Sequence, residues 1–221
     1  MNRSYGQRCL VARTLDVLGD RWTLLIVREL ALGPRRYGDL LDALPGMGTS
    51  LLATRLKHLE EYSVLRRIAL PGPGRAAAYE LTDRGESLMP VLASLAEWGA
   101  GLDEPPAEFT TRAAWGMVAM RVTASGEAAS YDTLTELVVD DEAMWVRGDG
   151  TKVRVQLGRA PLDPALRMTC ARPTFFALAR GRTTVDEAVE SGHLSVDGGL
   201  ADARRFFRLF HMPGARRPNS L

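Results

Sequence analysis

Cysteine, histidine and lysine are scarce in this chain. It holds two cysteines, Cys9 and Cys170, in 221 residues. They lie too far apart for a disulfide framework, and they lack the paired spacing of a zinc site. Two thiols kept reduced fit a reducing compartment. The three histidines are His58, His193 and His211. There is no His-Glu-x-x-His, no Gly-Lys-Ser/Thr loop and no nucleophile elbow. No catalytic set, cofactor or metal site is therefore expected, and the chain does not read as an enzyme. No apolar run approaches the roughly 18–20 residues that cross a bilayer. The opening "MNRSYGQRCLVARTL" lacks the apolar stretch of a secretory signal, so a cytoplasmic protein with no membrane partner is expected. Lys57 and Lys152 are the only lysines, and the net charge is +1. The whole chain thus carries no basic signal, and only local clustering can argue for nucleic acid.

What is present is a foldable composition, 46% hydrophobic and 25% charged, with length for one large domain or two ordinary ones. "GLDEPPAEFT" (101–110) reads as a linker, with adjacent prolines and three acids. The pattern before it is mostly helical. After it, strand-like runs come first and helices return later. This sets a first domain at 1–104 and a second at 109–221.

In the first domain, Cys9 to Leu18 reads as a helix with Leu10, Thr14, Val17 and Leu18 along one side. Gly19-Asp20 ends it. A second helix from Trp22 to Leu32 has Trp22, Leu25, Ile26 and Leu30 at helical spacing, and Gly33-Pro34 stops it. A third runs from Arg36 to Leu44, and a fourth from about Thr49 to Tyr62. "VLRRIAL" and "AAYELT" then form a hairpin around the Gly/Pro-rich tip "PGPGRA". A last helix opens at Thr82 and runs towards Gly99. Three helices, a fourth in tandem with the third, and a hairpin make a winged helix-turn-helix.

On a helical wheel Leu52, Leu56 and Leu59 share one face of the fourth helix. Ser50, Thr54 and Lys57 lie opposite, flanked by Arg55. A small, polar, cationic outer face suits entry into a major groove. The span from Thr49 to Arg75 holds five cations (Arg55, Lys57, Arg66, Arg67, Arg75) against two acids (Glu60, Glu61), the local imbalance that phosphate contact needs. The expected DNA-binding residues are Arg36, Thr49, Ser50, Thr54, Arg55, Lys57, Arg67 and Arg75.

The stretches "CLVARTLDVLGDRWTLLIVRELALGPRRYGDLLDAL", "LKHLEE" and "YELTDRGESLMPVLASLAEWG" resemble the HxlR-type branch of bacterial winged-helix regulators, which is related to the MarR type. The resemblance covers about residues 9–100. It implies a homodimer on a palindromic double-stranded operator, with Leu88, Val91, Leu92, Leu95 and Trp98 of the last helix at the dimer interface. It also matches Cys9 to an early family cysteine that some relatives use for redox sensing; a structural role for Cys9 is the favoured alternative. The family's Gly-Gly-Lys-Trp is Gly19-Asp20-Arg21-Trp22 here. The serine that opens the recognition helix is Gly48, so Gly48 or Thr49 must cap. The wing "LPGPGRAAA" is longer than usual.

In the second domain "AWGMVAMRV", "LTELVV", "AMWVRG", "KVRVQLG" and "LRMTCA" are five strand candidates. Asp149-Gly150 gives a hairpin signal between the third and fourth of these. "PTFFALARG", "TTVDEAVESG" and "GLADARRFFRLF" are helix candidates, with "HLSVDG" a short strand between the last two. The stretch from "PTFFALARG" to the last helix resembles sterol-carrier-protein-like domains, over roughly residues 112–212. That resemblance implies an α+β fold, a five-stranded sheet with helices, and a hydrophobic small-molecule effector. Met117 and Trp145 from the sheet, with Phe175, Phe176, Phe206 and Phe210, are the candidate lining residues. A solid aromatic core is the alternative. Asp140, Asp141 and Glu142 read as a solvated turn rather than a metal site. The whole reads as a dimeric, sequence-specific transcriptional regulator. The alternative is a lipid or small-molecule binding protein whose winged domain mediates protein contacts.

Overall fold

The computed structural model describes residues 4–70, 77–103, 106, 108–124 and 126–213. The chain divides into two compact units, Met1–Met89 and Pro90–Leu221.

The first unit runs α1 (Leu10–Leu18), α2 (Thr23–Leu30), β1 (Arg35–Arg36), α3 (Tyr37–Ala43), α4 (Thr49–Glu61), β2 (Leu65–Ala69), β3 (Ala77–Leu81) and α5 (Asp83–Glu86). Its sheet has the order β1-β3-β2, all antiparallel. The core joins Ile26, Val27 and Leu30 of α2 with Leu40 of α3 and Leu52, Leu56 and Leu59 of α4. This is the expected helix order with a wing.

Four local expectations change. Trp22 does not begin α2: it precedes the helix in the left-handed region, at φ 79°, which few non-glycine residues adopt. The buried stripe is accordingly rotated to Thr23, Ile26, Val27 and Leu30, and Leu25 is exposed. On α1 the expected face packs only at its C-terminal end, for Leu18 is buried and Val17 half-buried while Leu10 and Thr14 are exposed. Arg36 is not helical but pairs with Ala78 in the sheet. Finally, the helix expected from Thr82 to Gly99 is two helices. Thr82 does cap the first, its hydroxyl accepting from Gly85 N at 3.2 Å. The break falls at Ser87-Leu88, just before Pro90, whose missing N–H cannot continue a helical ladder.

The second unit continues with α6 (Met89–Gly99), α7 (Ala113–Val122), a 3₁₀ turn (Gly126–Ser130), β4 (Thr135–Val139), β5 (Glu142–Gly148), β6 (Val153–Leu157), β7 (Leu166–Cys170), α8 (Arg172–Ala179), α9 (Val185–Glu190), β8 (Leu194–Asp197) and α10 (Leu200–Leu209). The sheet order is β6-β5-β4-β7-β8, with β4 and β7 parallel and the other pairs antiparallel. Five strands are present as expected, but "AWGMVAMRV" is not among them: it is α7, and β8 is the fifth strand. The misreading has a physical cause. Ala113, Ala114, Gly116, Met117, Val118 and Met120 are all buried, and a run apolar on every side carries neither strand nor helix periodicity. Gly116 lets α7 approach α8 closely: a Cβ there would lie 2.7 Å from Phe175 Cε1 and 2.9 Å from Phe176 Cε1. No helix among the described residues is long and apolar enough to cross a membrane.

Candidate nucleic-acid interface

The exposed side of α4 is built by its own leucines. Leu52, Leu56 and Leu59 are buried, which turns Thr49, Ser50, Ala53, Thr54 and Lys57 outward, all of them exposed. Gly48 is the residue before the helix and offers no side-chain cap. Tyr37 of α3 ties the start of α4, its hydroxyl donating to the Thr49 carbonyl at 2.6 Å. Thr54 Oγ1 donates back to the Ser50 carbonyl at 2.9 Å, which fixes its rotamer. Lys57 is 78% exposed and only loosely paired with Glu61, at 3.9 Å.

The remaining expected residues are placed as follows. Arg36 is exposed at the start of α3, its backbone N–H bonded to Asp39. Arg67 is exposed on β2, lies 3.7 Å from Glu60 and stacks over Tyr79. Arg75 lies outside the described residues. Arg55 departs from expectation. Its side chain is only 19% exposed and is ion-paired with Asp20 of the α1–α2 corner, so it points back towards the support rather than out with Lys57. A wheel shows the angle of a residue on its own helix, not a partner from another part of the chain.

Glu29 of α2 is buried and ion-paired. It is held by Arg28 at 2.8 Å and by Arg35 of β1 at 3.4 Å, which anchors the short strand that precedes α3.

The apolar candidates of the second unit fall into two groups. Met117, Phe175, Phe206 and Phe210 are fully buried. Phe206 and Phe210 pack against each other and against Tyr131, whose hydroxyl bonds to Thr135 Oγ1 at 2.7 Å. Burial pushes the Tyr131 phenol up to about 12. Phe176 is half-buried, in edge contact with Phe175, and Arg180 lies over its ring. Met117 belongs to α7, not to the sheet. Trp145 belongs to neither cluster. It stands opposite Glu136 and Gln156 in the ladder, and successive strand residues face opposite ways. Trp145 therefore shares the face of Glu136, whereas Thr135, which binds Tyr131, is on the other.

The acidic triplet is more than a plain solvated turn. Glu142 accepts the backbone N–H of Ala114 at 3.1 Å, and Asp140 that of Arg172 at 3.2 Å. Each bond satisfies an orphan donor in the first turn of α7 or α8, neither of which has a side-chain cap of its own. No group of three or more potential metal ligands occurs among the described residues. Cys9 is exposed at the start of α1, and Cys170 is buried. Burial, with the nearby Asp140 charge, raises the Cys170 thiol to about 11.

Comparison with known proteins completes the site. The profile of the HxlR-like helix-turn-helix family matches residues 17–105. An uncharacterized HTH-type transcriptional regulator of Synechocystis is 39% identical over 95 residues, covering 43% of this chain and 70% of the relative. The chain belongs to the HxlR-like helix-turn-helix family. The uncharacterized regulator YvaP of Bacillus subtilis is 34% identical over 93 residues, 42% of this chain and 86% of its own. The HTH-type transcriptional regulator YodB of the same species is 34% identical over 90 residues, 41% of this chain and 80% of its own. The HxlR-like match ends at residue 105, ahead of the five-stranded sheet.

Proposed function

We propose that the chain is a dimeric, sequence-specific DNA-binding transcriptional regulator, with residues 1–104 as its DNA-binding and dimerisation domain. The observation that carries this reading is the outward face of α4: Thr49, Ser50, Thr54 and Lys57 exposed above three buried leucines in a family whose members are named transcriptional regulators. On duplex DNA the hydroxyls take base edges or phosphates. Lys57 takes phosphates in this reading, as do Arg36 and Arg67, which are also exposed, and Arg75 of the wing sequence. Dimerisation through α6 is supported by Val91, Leu95 and Trp98, large apolar side chains left 39%, 46% and 71% exposed. Leu92 lies half-buried on the same helix, and Leu88 sits at the break before it. Two copies would present two recognition helices about one DNA turn apart, on a palindrome.

Residues 109–221 are the effector part of this reading, with a sterol-carrier-like fold. In this reading an apolar effector parts aromatic contacts of that unit, Phe206 and Phe210 from Tyr131, or Phe175 and Phe176 from Gly116. Cys9 is exposed, which leaves its thiol open to an oxidant and supports the redox alternative for that residue.

The test is affinity for a pool of duplex DNA measured against salt, with the full-length chain. A regulator shows a log–log slope of roughly −0.9 for each phosphate contacted. Salt-independent or absent binding, together with uptake of a fluorescent fatty acid, would favour the lipid-binding alternative instead.

A further inference from the structure

The corner between α1 and α2 reaches the recognition helix and the turn before it at three places. Asp20 is ion-paired with Arg55, in the middle of α4. His58 Nε2 lies 3.2 Å from the carbonyl oxygen of Val17 on α1. The Trp22 ring lies against Gly46 in the α3–α4 turn, where an added Cβ would sit 3.8 Å from Cη2. Of the three, the ion pair is the one that diverts a cation from the outer face. Arg55 Nε is buried and has no hydrogen-bond partner among the described residues. Its guanidinium is thus committed to the corner, while Asp20 stays 54% exposed.

The three leucines fix which face of α4 is buried. A hydrophobic stripe is non-directional, however, and resists rocking or sliding of the helix only weakly. A guanidinium–carboxylate contact is directional. Base-edge hydrogen bonds depend steeply on distance and angle, whereas attraction to phosphate falls slowly with separation. A loosened α4 therefore loses sequence discrimination before it loses charge attraction.

We propose that Asp20 and Arg55 are positioning residues for DNA recognition: their ion pair sets the pose of α4 on its support, and neither touches DNA. The inference rests on the DNA-binding reading above. It makes Asp20, which stands where the family pattern has its second glycine, a determinant of specificity in this chain.

The experiment uses the full-length chain and a duplex selected by it from a random-sequence pool, with a scrambled duplex of equal composition as reference. Affinity for both is measured across a salt series for Asp20→Asn, Arg55→Gln and the exchanged pair Asp20→Arg/Arg55→Asp. Each single variant is expected to lower the selected-to-scrambled ratio by about tenfold, with the salt slope unchanged. The exchanged pair is expected to recover most of the ratio, which a loss of folding would not allow. Should Arg55→Gln fail to fold, Asp20→Asn alters an exposed side chain and still decides the matter. A salt slope shallower by about 0.9 in Arg55→Gln, with tighter binding to both duplexes in Asp20→Asn, would make Arg55 a phosphate contact restrained by Asp20 and overturn the proposal. Unchanged ratios in both single variants would overturn it too. If the wild-type chain binds neither duplex in a salt-dependent way, the DNA-binding reading itself fails, and this inference falls with it.

Discussion

The acids of the second unit and the outer face of α4 in the first use their polar groups in opposite ways. In the second, acids turn inward to finish the fold: Glu142 caps α7, Asp140 caps α8, and buried Glu136 gathers Arg159, Arg167 and the Ala160 N–H, each at 2.8–2.9 Å. In the first, α4 starts at Gly48 with no side-chain cap, and Ser50, Thr54 and Lys57 stand in solvent. A helix whose polar groups are consumed by its own fold has nothing left to offer a partner. A helix that leaves them outward is less well finished and free to bind. Away from that face the first unit also draws polar groups inward: Arg55 to Asp20, buried Glu29 to Arg28 and Arg35, and Thr82 as the cap of α5. The contrast predicts where substitutions act on stability and where they act on binding.

The largest effect is expected where the two units are alike, in their apolar cores. Leu56 is 1% exposed, so Leu56→Ala should destabilise the chain by roughly 2–5 kcal/mol, read by urea unfolding. A loss below about 1 kcal/mol would mean that α4 is not seated on its leucines, and the outward face assigned above would be rotated.

Next comes Glu136, the most inward of the second unit's acids. Burial pushes its carboxyl up, but the Ala160 N–H and the guanidinium groups of Arg167 and Arg159 outweigh burial and hold it below its ordinary value of 4.5. A carboxyl depressed in the folded state contributes stability that is complete above that ordinary value. The contribution is lost as pH falls through the folded value. Glu136→Gln should cost about 2 kcal/mol at neutral pH, because Arg159 and Arg167 lose the buried carboxylate charge, and Arg167 keeps only the more distant, exposed Asp163 and Asp197. The penalty should shrink on acidification below pH 4.5, when the wild-type carboxyl is itself protonated. A penalty that stays constant down to strong acid would show that packing, not charge, is what Glu136 supplies.

These contrasts also mark how far the sequence could be read. Glycine, proline and the leucine period of α4 placed the element order and the wing, and the wheel correctly turned Ser50, Thr54 and Lys57 outward. The period failed where burial is all round, as in α7. It failed again where one residue takes an unusual backbone, as Trp22 does before α2. Partners from distant parts of the chain were not legible at all. Nothing local to Asp20 names Arg55, and nothing local to Asp140 or Glu142 names helices that lie 32 and 28 residues away. Trp145 was grouped with the phenylalanines because composition records that a ring is apolar, whereas strand register decides which face it is on.

The caps of α7 and α8 give a smaller, additive effect. Asp140→Asn and Glu142→Gln should each lower stability by roughly 0.3–1 kcal/mol, the worth of a charge at a helix N-terminus, measured by thermal unfolding. Asparagine and glutamine keep an acceptor oxygen but lose the charge that favours a helix N-terminus and that pairs with Arg172 or Arg112. Asp140 is in the β4–β5 turn and Glu142 opens β5, so the double variant tests independence. A double loss far above the sum of the singles would mean that they hold the hairpin jointly.

The smallest effect on stability should come from Lys57, and there the comparison is sharpest. Its only described partner is Glu61, one helical turn on, at 3.9 Å, with both side chains more than half exposed. Such surface pairs are worth a few tenths of a kcal/mol at most, so Lys57→Ala should unfold within about 0.5 kcal/mol of the wild type. Alanine is also a better helix former than lysine, which offsets part of even that loss. On duplex DNA the same change should weaken binding to all sequences and flatten the salt slope by about 0.9, the signature of one phosphate contact removed. Stability and binding would then separate at a single residue of α4, as they should on a face that the fold does not use. If Lys57→Ala leaves the slope unaltered while Arg67→Ala reduces it, the protein meets phosphate through the wing strand and not through the outer face of α4.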